Sequence, residues 1–161
     1  MCHDRLANKY YLKVADLAAI EADYYKAIGY YEKVGKVSID NNLMKWSVKD
    51  YFFKAGICHL ASGVCPILSL SYTTLANHCL AQDLVATNRA LESYRDLDPT
   101  FASTREHALL VDLLQAVEQG EPDTFADKLF QFDQLSKLDK WKTTLFLRVK
   151  SNIEETGEDF S

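Results

Sequence analysis

Residues 23–35 read DYYKAIGYYEKVG, and this stretch decides the fold class. Asp23 predicts the start of a helix, and Gly35 predicts its end. Residues 6–20 show helical periodicity just before it, so we expect two antiparallel helices. The apolar positions of the second helix recur at the i, i+3, i+4, i+7 spacing of one helix face: Tyr24, Ala27, Ile28, Tyr31 and Val34.

Helical periodicity continues on both sides of one unusual segment, residues 64–82. Asp40, Asn41 or Asn42 can cap a third helix, which ends near Gly63. A fourth helix is expected from about Asp83 to Tyr94. The third helix carries one apolar stripe: Trp46, Phe53, Ile57 and Leu60.

The C-terminal part predicts three further helices. Asp98-Pro99 is an N-cap followed by a first-turn proline, and it opens a helix that ends at Gly120. Pro122 opens the next helix, and Asp139 can cap the last one. The last helix has an apolar stripe that predicts docking on the helices before it: Leu138, Trp141, Leu145, Val149 and Ile153.

A small residue and an aromatic residue one turn apart occur three times, at Ala27-x3-Tyr31, Ala90-x3-Tyr94 and Ala126-x3-Phe130. This is the second-helix signature of helical-pair repeats. The sequence therefore predicts an all-α chain of TPR-like antiparallel helix hairpins, an α-solenoid, with a C-terminal helical bundle and an acidic tail.

Residues 64–82 do not fit this pattern, because 19 residues pass without Asp, Glu, Lys or Arg. Pro66 and several Ser and Thr residues disfavour a buried helix, and an apolar loop of this length is unusual on a protein surface. We favour a third interpretation, a retained intron, which also explains the long first repeat interval. We expect this uncharged insertion to be irregular or disordered.

Composition indicates a folded domain, with 48% apolar and 25% charged residues. No apolar run reaches the length of a transmembrane helix, and the first residues lack a signal-peptide pattern. We therefore expect a cytoplasmic protein. A net charge of −5 disfavours binding to nucleic acid.

The sequence indicates no catalytic, metal or cofactor-binding residues. Cysteines and histidines are scattered without metal-type spacing, and no Gly-x4-Gly-Lys phosphate loop occurs. Cys58 and His59 are adjacent, but neighbours on a helix point about 100° apart and cannot face each other as nucleophile and base. We expect a binding protein rather than an enzyme.

Three stretches carry a family resemblance: residues 7–15 (ANKYYLKVA) together with 25–28 (YKAI) and 31–35 (YEKVG), residues 45–55 (KWSVKDYFFKA), and residues 138–150 (LDKWKTTLFLRVK). With residues 64–82 set aside, the chain resembles the C-terminal half of the soluble NSF attachment proteins, the SNAP adaptors of membrane fusion. Generic helical repeats share the Ala-x3-aromatic step but lack KDYFFKA and the Leu-Asp-x-Trp ending. The resemblance implies that the chain is a fragment of a longer protein.

The resemblance also implies an adaptor that catalyses nothing. Such an adaptor binds the four-helix SNARE bundle, recruits and stimulates the hexameric ATPase NSF for SNARE disassembly, and associates peripherally with membranes through its partners. The charge is asymmetric, as two differently charged partners require. Residues 1–63 have nine Lys and Arg against seven Asp and Glu, net +2, whereas residues 83–161 have nine against sixteen, net −7.

The resemblance assigns residues to both partners. On pattern alone, Lys9 and Lys13 would lie on an ordinary solvated face, Trp46 would lie in the core, and the acidic C-terminal end would be disordered. The alternative function is a generic TPR-like scaffold that binds another peptide or helix. The SNARE-facing residues are Lys9, Lys13, Leu43, Lys45 and Trp46, and the NSF-facing residues are Asp83, Glu118, Glu158, Asp159 and Phe160.

Overall fold

The structure, a computed structural model, describes the backbone of residues 2–41, 44–63 and 73–158, and the side chains of residues 6–41, 44–63 and 84–155. Within these ranges all regular secondary structure is helical, which confirms the predicted fold class. In chain order the helices are α1 (Cys2–Ile20), α2 (Tyr24–Ile39), α3 (Lys45–Gly63), α4 (Thr73–Leu97), α5 (Pro99–Ala102), α6 (Arg105–Gln119), α7 (Pro122–Leu135) and α8 (Lys140–Glu158).

Helices α1 and α2 form the predicted hairpin. The Asp23 side chain accepts a hydrogen bond from the backbone N–H of Lys26 and caps α2, as expected. Gly35 does not end the helix, which continues to Ile39. Gly35 instead lies buried inside α2, where a Cβ atom would come within 2.7 Å of Cε1 of Phe52. The glycine therefore allows α3 to approach the backbone of α2.

Helix α3 is the central helix, because it contacts α2, α4, α6 and α8. Its two adjacent phenylalanines, Phe52 and Phe53, are buried on different sides. The Phe52 ring stacks on Tyr94 of α4, with ring centroids 4.7 Å apart. The Phe53 ring lies 6.3 Å from Phe146 of α8. Two neighbouring residues thus connect α3 to two separate parts of the core.

The structure differs from the sequence prediction at α4. The helix begins at Thr73, before the predicted start at Asp83. The irregular structure expected for the uncharged insertion is therefore wrong for residues 73–82, which are helical. Residues 64–72 lie outside the described ranges.

The helix predicted from Asp98 to Gly120 is in fact two helices. The Asp98 carboxylate accepts from the N–H and the hydroxyl of Thr100, at 3.1 and 2.6 Å, and caps only the short α5. Thr104 then caps α6 by accepting from the N–H of His107. Two consecutive side-chain caps start two helices, and the sequence analysis recognised only the first.

The remaining helix ends agree with the prediction. Gly120 ends α6 in the left-handed conformation, with φ of 67°. Pro122 lies in the first turn of α7. Asp139 accepts from the N–H of Lys142 at 2.8 Å and caps α8. The predicted docking of α8 is confirmed, since its stripe is buried at Leu145, Val149 and Ile153.

The aromatic residues of the first two copies of the repeat signature lie in the core. Tyr31 and Tyr94 are buried core residues. Phe130, the aromatic residue of the third copy, is 66% exposed. The third copy therefore matches the spacing but not the packing of the other two.

A polar cluster joins α2, α3 and α4. The Tyr94 hydroxyl donates to Oε1 of Glu32 at 2.7 Å. Nε2 of His59 lies 3.8 Å from the same oxygen. The His59 ring, and then the Tyr94 hydroxyl, hold the pKa of Glu32 down to about 2, although burial acts in the opposite direction.

Gly35→Ala should destabilise the fold, because the new Cβ would press on the buried Phe52 ring. We expect a loss of about 1–3 kcal/mol in the free energy of unfolding, as for other overpacked cores. The matched control is Gly29→Ala in the same helix, where nothing lies within 4 Å of the new Cβ. The free energy of unfolding of Gly29→Ala should rise by about 0.5–1 kcal/mol. Urea unfolding measures both, and equal effects would contradict the close contact.

Glu32→Gln should destabilise the protein near neutral pH and progressively less in acid. The folded-state pKa lies below the ordinary value of 4.5, so the stabilisation by the carboxylate is full above pH 4.5 and disappears as pH falls towards about 2. The unfolding free energies of wild type and variant should therefore converge over this window. Exposed Glu92 provides the control, Glu92→Gln. A difference in unfolding free energy between wild type and Glu32→Gln that stays constant with pH would contradict the role of the Glu32 charge.

Candidate partner-binding face

Three polar residues form a stripe along α1. Lys9, Lys13 and Asp16 are spaced by four and three residues, so they lie on one side of the helix. Both lysines are exposed, and the Asp16 side chain is 37% exposed. The two lysines therefore present their charges to solvent, one turn apart.

A second stripe runs along α3. Trp46, Asp50 and Lys54 are spaced by four residues each and share one side of this helix. Trp46 is 87% exposed, so the interpretation of this residue as part of the core is wrong. A large aromatic side chain that is almost fully exposed on a folded helix has an unused apolar surface.

An ion pair joins the two stripes. Nζ of Lys54 lies 2.8 Å from Oδ1 of Asp16, so the two stripes meet at this point. We call this surface the α1/α3 face and define it by its six residues. They are Lys9, Lys13, Asp16, Trp46, Asp50 and Lys54.

The first turn of α8 covers one end of the α1/α3 face. Nε1 of Trp141 donates to the backbone carbonyl of Asp16 at 3.0 Å. Nζ of Lys142 lies 2.7 Å from Oδ1 of Asp50. Nζ of Lys54 lies 5.0 Å from the centroid of the Trp141 ring. The Asp16–Lys54 end is thus occupied by α8, while Lys9, Lys13 and Trp46 lie on the exposed remainder.

The other residues assigned to the SNARE side are less fully placed. Lys45 is exposed at the start of α3, beside Trp46. Lys49, one turn after Lys45, lies 3.3 Å from Glu106 of α6. Leu43 lies outside the described residues. The structure therefore places four of the five residues at exposed positions, two on α1 and two on α3.

The residues assigned to NSF do not form one cluster among the described side chains. Glu118 is exposed in the last turn of α6. Asp83 lies within α4 and Glu158 ends α8, but both side chains are outside the described set. Asp159 and Phe160 lie outside the described residues altogether. Glu154 and Glu155, near the end of α8, are both exposed.

The surroundings of the adjacent residues Cys58 and His59 indicate structural roles for both. Cys58 is buried, and burial raises the pKa of its thiol to about 12. The thiol is therefore neutral at pH 7, and the thiolate is the nucleophilic form. His59 belongs to the Glu32 cluster on the α2 side of α3.

Sequence reasoning missed the residues that organise the face: Asp16, Asp50, Lys54 and Lys142. Each forms an ion pair with a residue at least 38 positions away. Periodicity cannot show such pairs, because it reports only which face of one helix a residue occupies. The available signal was the family resemblance, since Asp50, Lys54 and Lys142 lie within two of the quoted stretches.

Comparison with known proteins gives the family. The family model described as "Soluble NSF attachment protein, SNAP" matches residues 3–67 and 72–154. The chain belongs to the soluble NSF attachment protein family. This finding agrees with the resemblance carried by the quoted stretches and with the helical fold.

Curated relatives support the same assignment. The chain is 48% identical over 158 residues to a probable vesicular-fusion protein sec17 homolog of Schizosaccharomyces pombe, which covers 98% of the chain and 48% of the relative. It is 38% identical over 153 residues to the alpha-soluble NSF attachment protein of Homo sapiens, covering 95% and 45%. The Saccharomyces cerevisiae protein of that name is 36% identical over 154 residues, covering 96% and 46%. The chain thus spans about half the length of the curated relatives it matches.

The break in the family match is narrower than the predicted insertion. Residues 68–71 are unmatched, whereas residues 64–67 and 72–82 belong to the matched parts. The retained-intron hypothesis for residues 64–82 stays a prediction. In the part of the chain that the structure describes, none of the helices is long and apolar enough to span a bilayer.

The two tryptophans should respond differently to truncation. Trp46→Ala should change the free energy of unfolding by no more than about 0.5 kcal/mol, because the side chain is 87% exposed. Trp141→Ala should cost about 2 kcal/mol or more, since it removes a hydrogen bond to α1 and packing on the core. Chemical denaturation followed by circular dichroism measures both. A similar loss for both variants would show that Trp46 contributes to the fold.

Proposed function

We propose that this chain binds the four-helix SNARE bundle through the α1/α3 face and Lys45, and presents its acidic C-terminal end to an NSF-type hexameric ATPase. The observation that carries the proposal is the α1/α3 face in a member of this family. Lys9 and Lys13 offer exposed positive charge on α1, and Trp46 offers exposed apolar surface on α3. An acidic helical bundle with apolar positions is complementary to such a surface.

The internal ion pairs of the face favour the same arrangement. Asp16 is paired with Lys54, and Asp50 with Lys142. The two carboxylates are thus neutralised within the protein. The positive charges of Lys9 and Lys13 then dominate the exposed part of the α1/α3 face, and an acidic partner meets no uncompensated negative charge there.

The ATPase side of the proposal rests on charge and on position in the chain. Residues 83–161 carry a net charge of −7, and exposed Glu118, Glu154 and Glu155 lie on α6 and α8. Together with Asp83, Glu158 and Asp159, these residues supply the negative charge proposed for NSF, and Phe160 supplies an apolar side chain. ATP hydrolysis belongs to the partner in this proposal, and membrane association occurs through the bound proteins.

Binding to an assembled SNARE complex should weaken with added salt, because exposed charges are screened over about 10 Å at 0.1 M. Lys9→Glu should weaken binding by about three- to tenfold, since it replaces an attraction by a repulsion at an exposed site. The matched control is Lys26→Glu, which makes the same charge change at an exposed residue of α2. Surface plasmon resonance or sedimentation measures the dissociation constants.

Three outcomes would count against the proposal. Equal weakening by Lys9→Glu and Lys26→Glu would indicate a response to net charge rather than to the α1/α3 face. If neither added salt nor Lys9→Glu weakens binding, Lys9 belongs to an ordinary solvated face and does not contact the SNARE complex. Absence of binding to the SNARE complex, together with binding to an unrelated helical peptide, would favour the generic scaffold.

A further inference from the structure

Helix α8 connects the α1/α3 face to the acidic C-terminal end. It contacts α1, α3 and α7, and its 19 residues correspond to a length of about 28 Å. Its first turn lies on Asp16 and Asp50 of the face. Its last turns carry the exposed carboxylates of Glu154 and Glu155. The position of α8 therefore decides where the acidic end lies relative to the face.

Apolar packing alone leaves this position incompletely specified. The buried residues Leu145, Phe146 and Val149 determine which side of α8 faces the core. Apolar burial is non-directional, so close packing resists displacement of α8 without assigning each side chain a unique partner atom. Hydrogen bonds and ion pairs have strict distances and angles, and they restrict such movements.

Three polar contacts supply that restriction. Lys142 pairs with Asp50 of α3 at 2.7 Å, and its side chain is only 14% exposed. Trp141 donates to the carbonyl of Asp16 in α1. Further along, Arg148 lies 3.4 Å from the carbonyl of Ala19 in α1. The contacts reach two different helices, so they fix α8 against rotation as well as sliding.

We propose that Lys142, with Trp141, is a positioning residue that holds the acidic end of α8 at a fixed place relative to the α1/α3 face. A SNARE bundle on the face and an ATPase at the acidic end are then held in one relative geometry. This inference rests on the proposed function and adds to it the residues that connect the two partner sites.

The role of Lys142 predicts a separation of binding from stimulation. Lys142→Met keeps the aliphatic stem but removes the charge that pairs with Asp50. Combined with Asp50→Asn, so that no carboxylate of the face is left unpaired, it should leave the dissociation constant for the SNARE complex within about twofold of wild type, because Lys9, Lys13 and Trp46 are unchanged. The maximal stimulation of an NSF-type ATPase at saturating chain and SNARE complex should fall at least threefold.

Three further variants make the test specific. Lys142→Arg retains the charge and should restore stimulation. Lys137→Met removes a charge from a lysine that is 84% exposed and pairs with nearby Asp133, so it should behave as wild type. Asp50→Asn combined with Lys142→Met should show no larger loss of stimulation than Lys142→Met alone, because both remove the Lys142–Asp50 pair, while Lys142→Met also removes the contact with Asp139 at 3.6 Å.

Each result supports or overturns the positioning role. Undiminished stimulation by Lys142→Met would overturn it, and so would a parallel loss of SNARE affinity and stimulation in the double variant with Asp50→Asn, which would indicate general destabilisation. Failure of Lys142→Arg to restore stimulation would also overturn it. A wild-type chain that binds no SNARE complex would refute the proposed function and this role together. Wild-type binding and stimulation with an unaffected Lys142→Met would refute the positioning role alone.

Discussion

The contact between the Phe52 ring and the backbone of α2 at Gly35 is the constraint on which the rest of the structure depends. It brings α3 close to α2, and α3 is the helix that also contacts α4, α6 and α8. The same ring stacks on Tyr94 and meets Phe101 edge-on, so α4 and α5 are positioned by it as well. Without space at residue 35, α3 would move outward, and every helix packed on α3 would lose its place.

The stretch KDYFFKA, residues 49–55, is explained by this central position. Lys49 pairs with α6, Asp50 with α8, and Lys54 with α1. The two phenylalanines between them fill the core on different sides of the helix. A segment that contacts so many helices has little freedom of sequence, since one substitution disturbs several interfaces. This is a physical reason to expect little variation in this stretch.

Local signals in the sequence were enough for most of the fold. Caps at Asp23 and Asp139, and the left-handed Gly120, depend on neighbouring residues and were predicted correctly. Gly35 was misinterpreted because a glycine that ends a helix and one that admits a neighbouring ring look alike without the neighbour. The exposure of Trp46 was hidden for a similar reason, since an apolar residue at helical spacing is usually buried. The candidate face is held by pairs 38 and 92 residues apart, and these required the structure.

The hydrogen bond between Trp141 and Asp16 spans 125 residues of chain. Contacts at such separation form late, because the loop between them must close first, and during synthesis the two partners leave the ribosome far apart in time. The hairpin of α1 and α2 can form early, but the Asp16–Lys54 end of the α1/α3 face is covered only after α8 has been synthesised. A nascent chain therefore exposes Asp16 and Asp50 without their α8 partners until α8 has been synthesised and has docked.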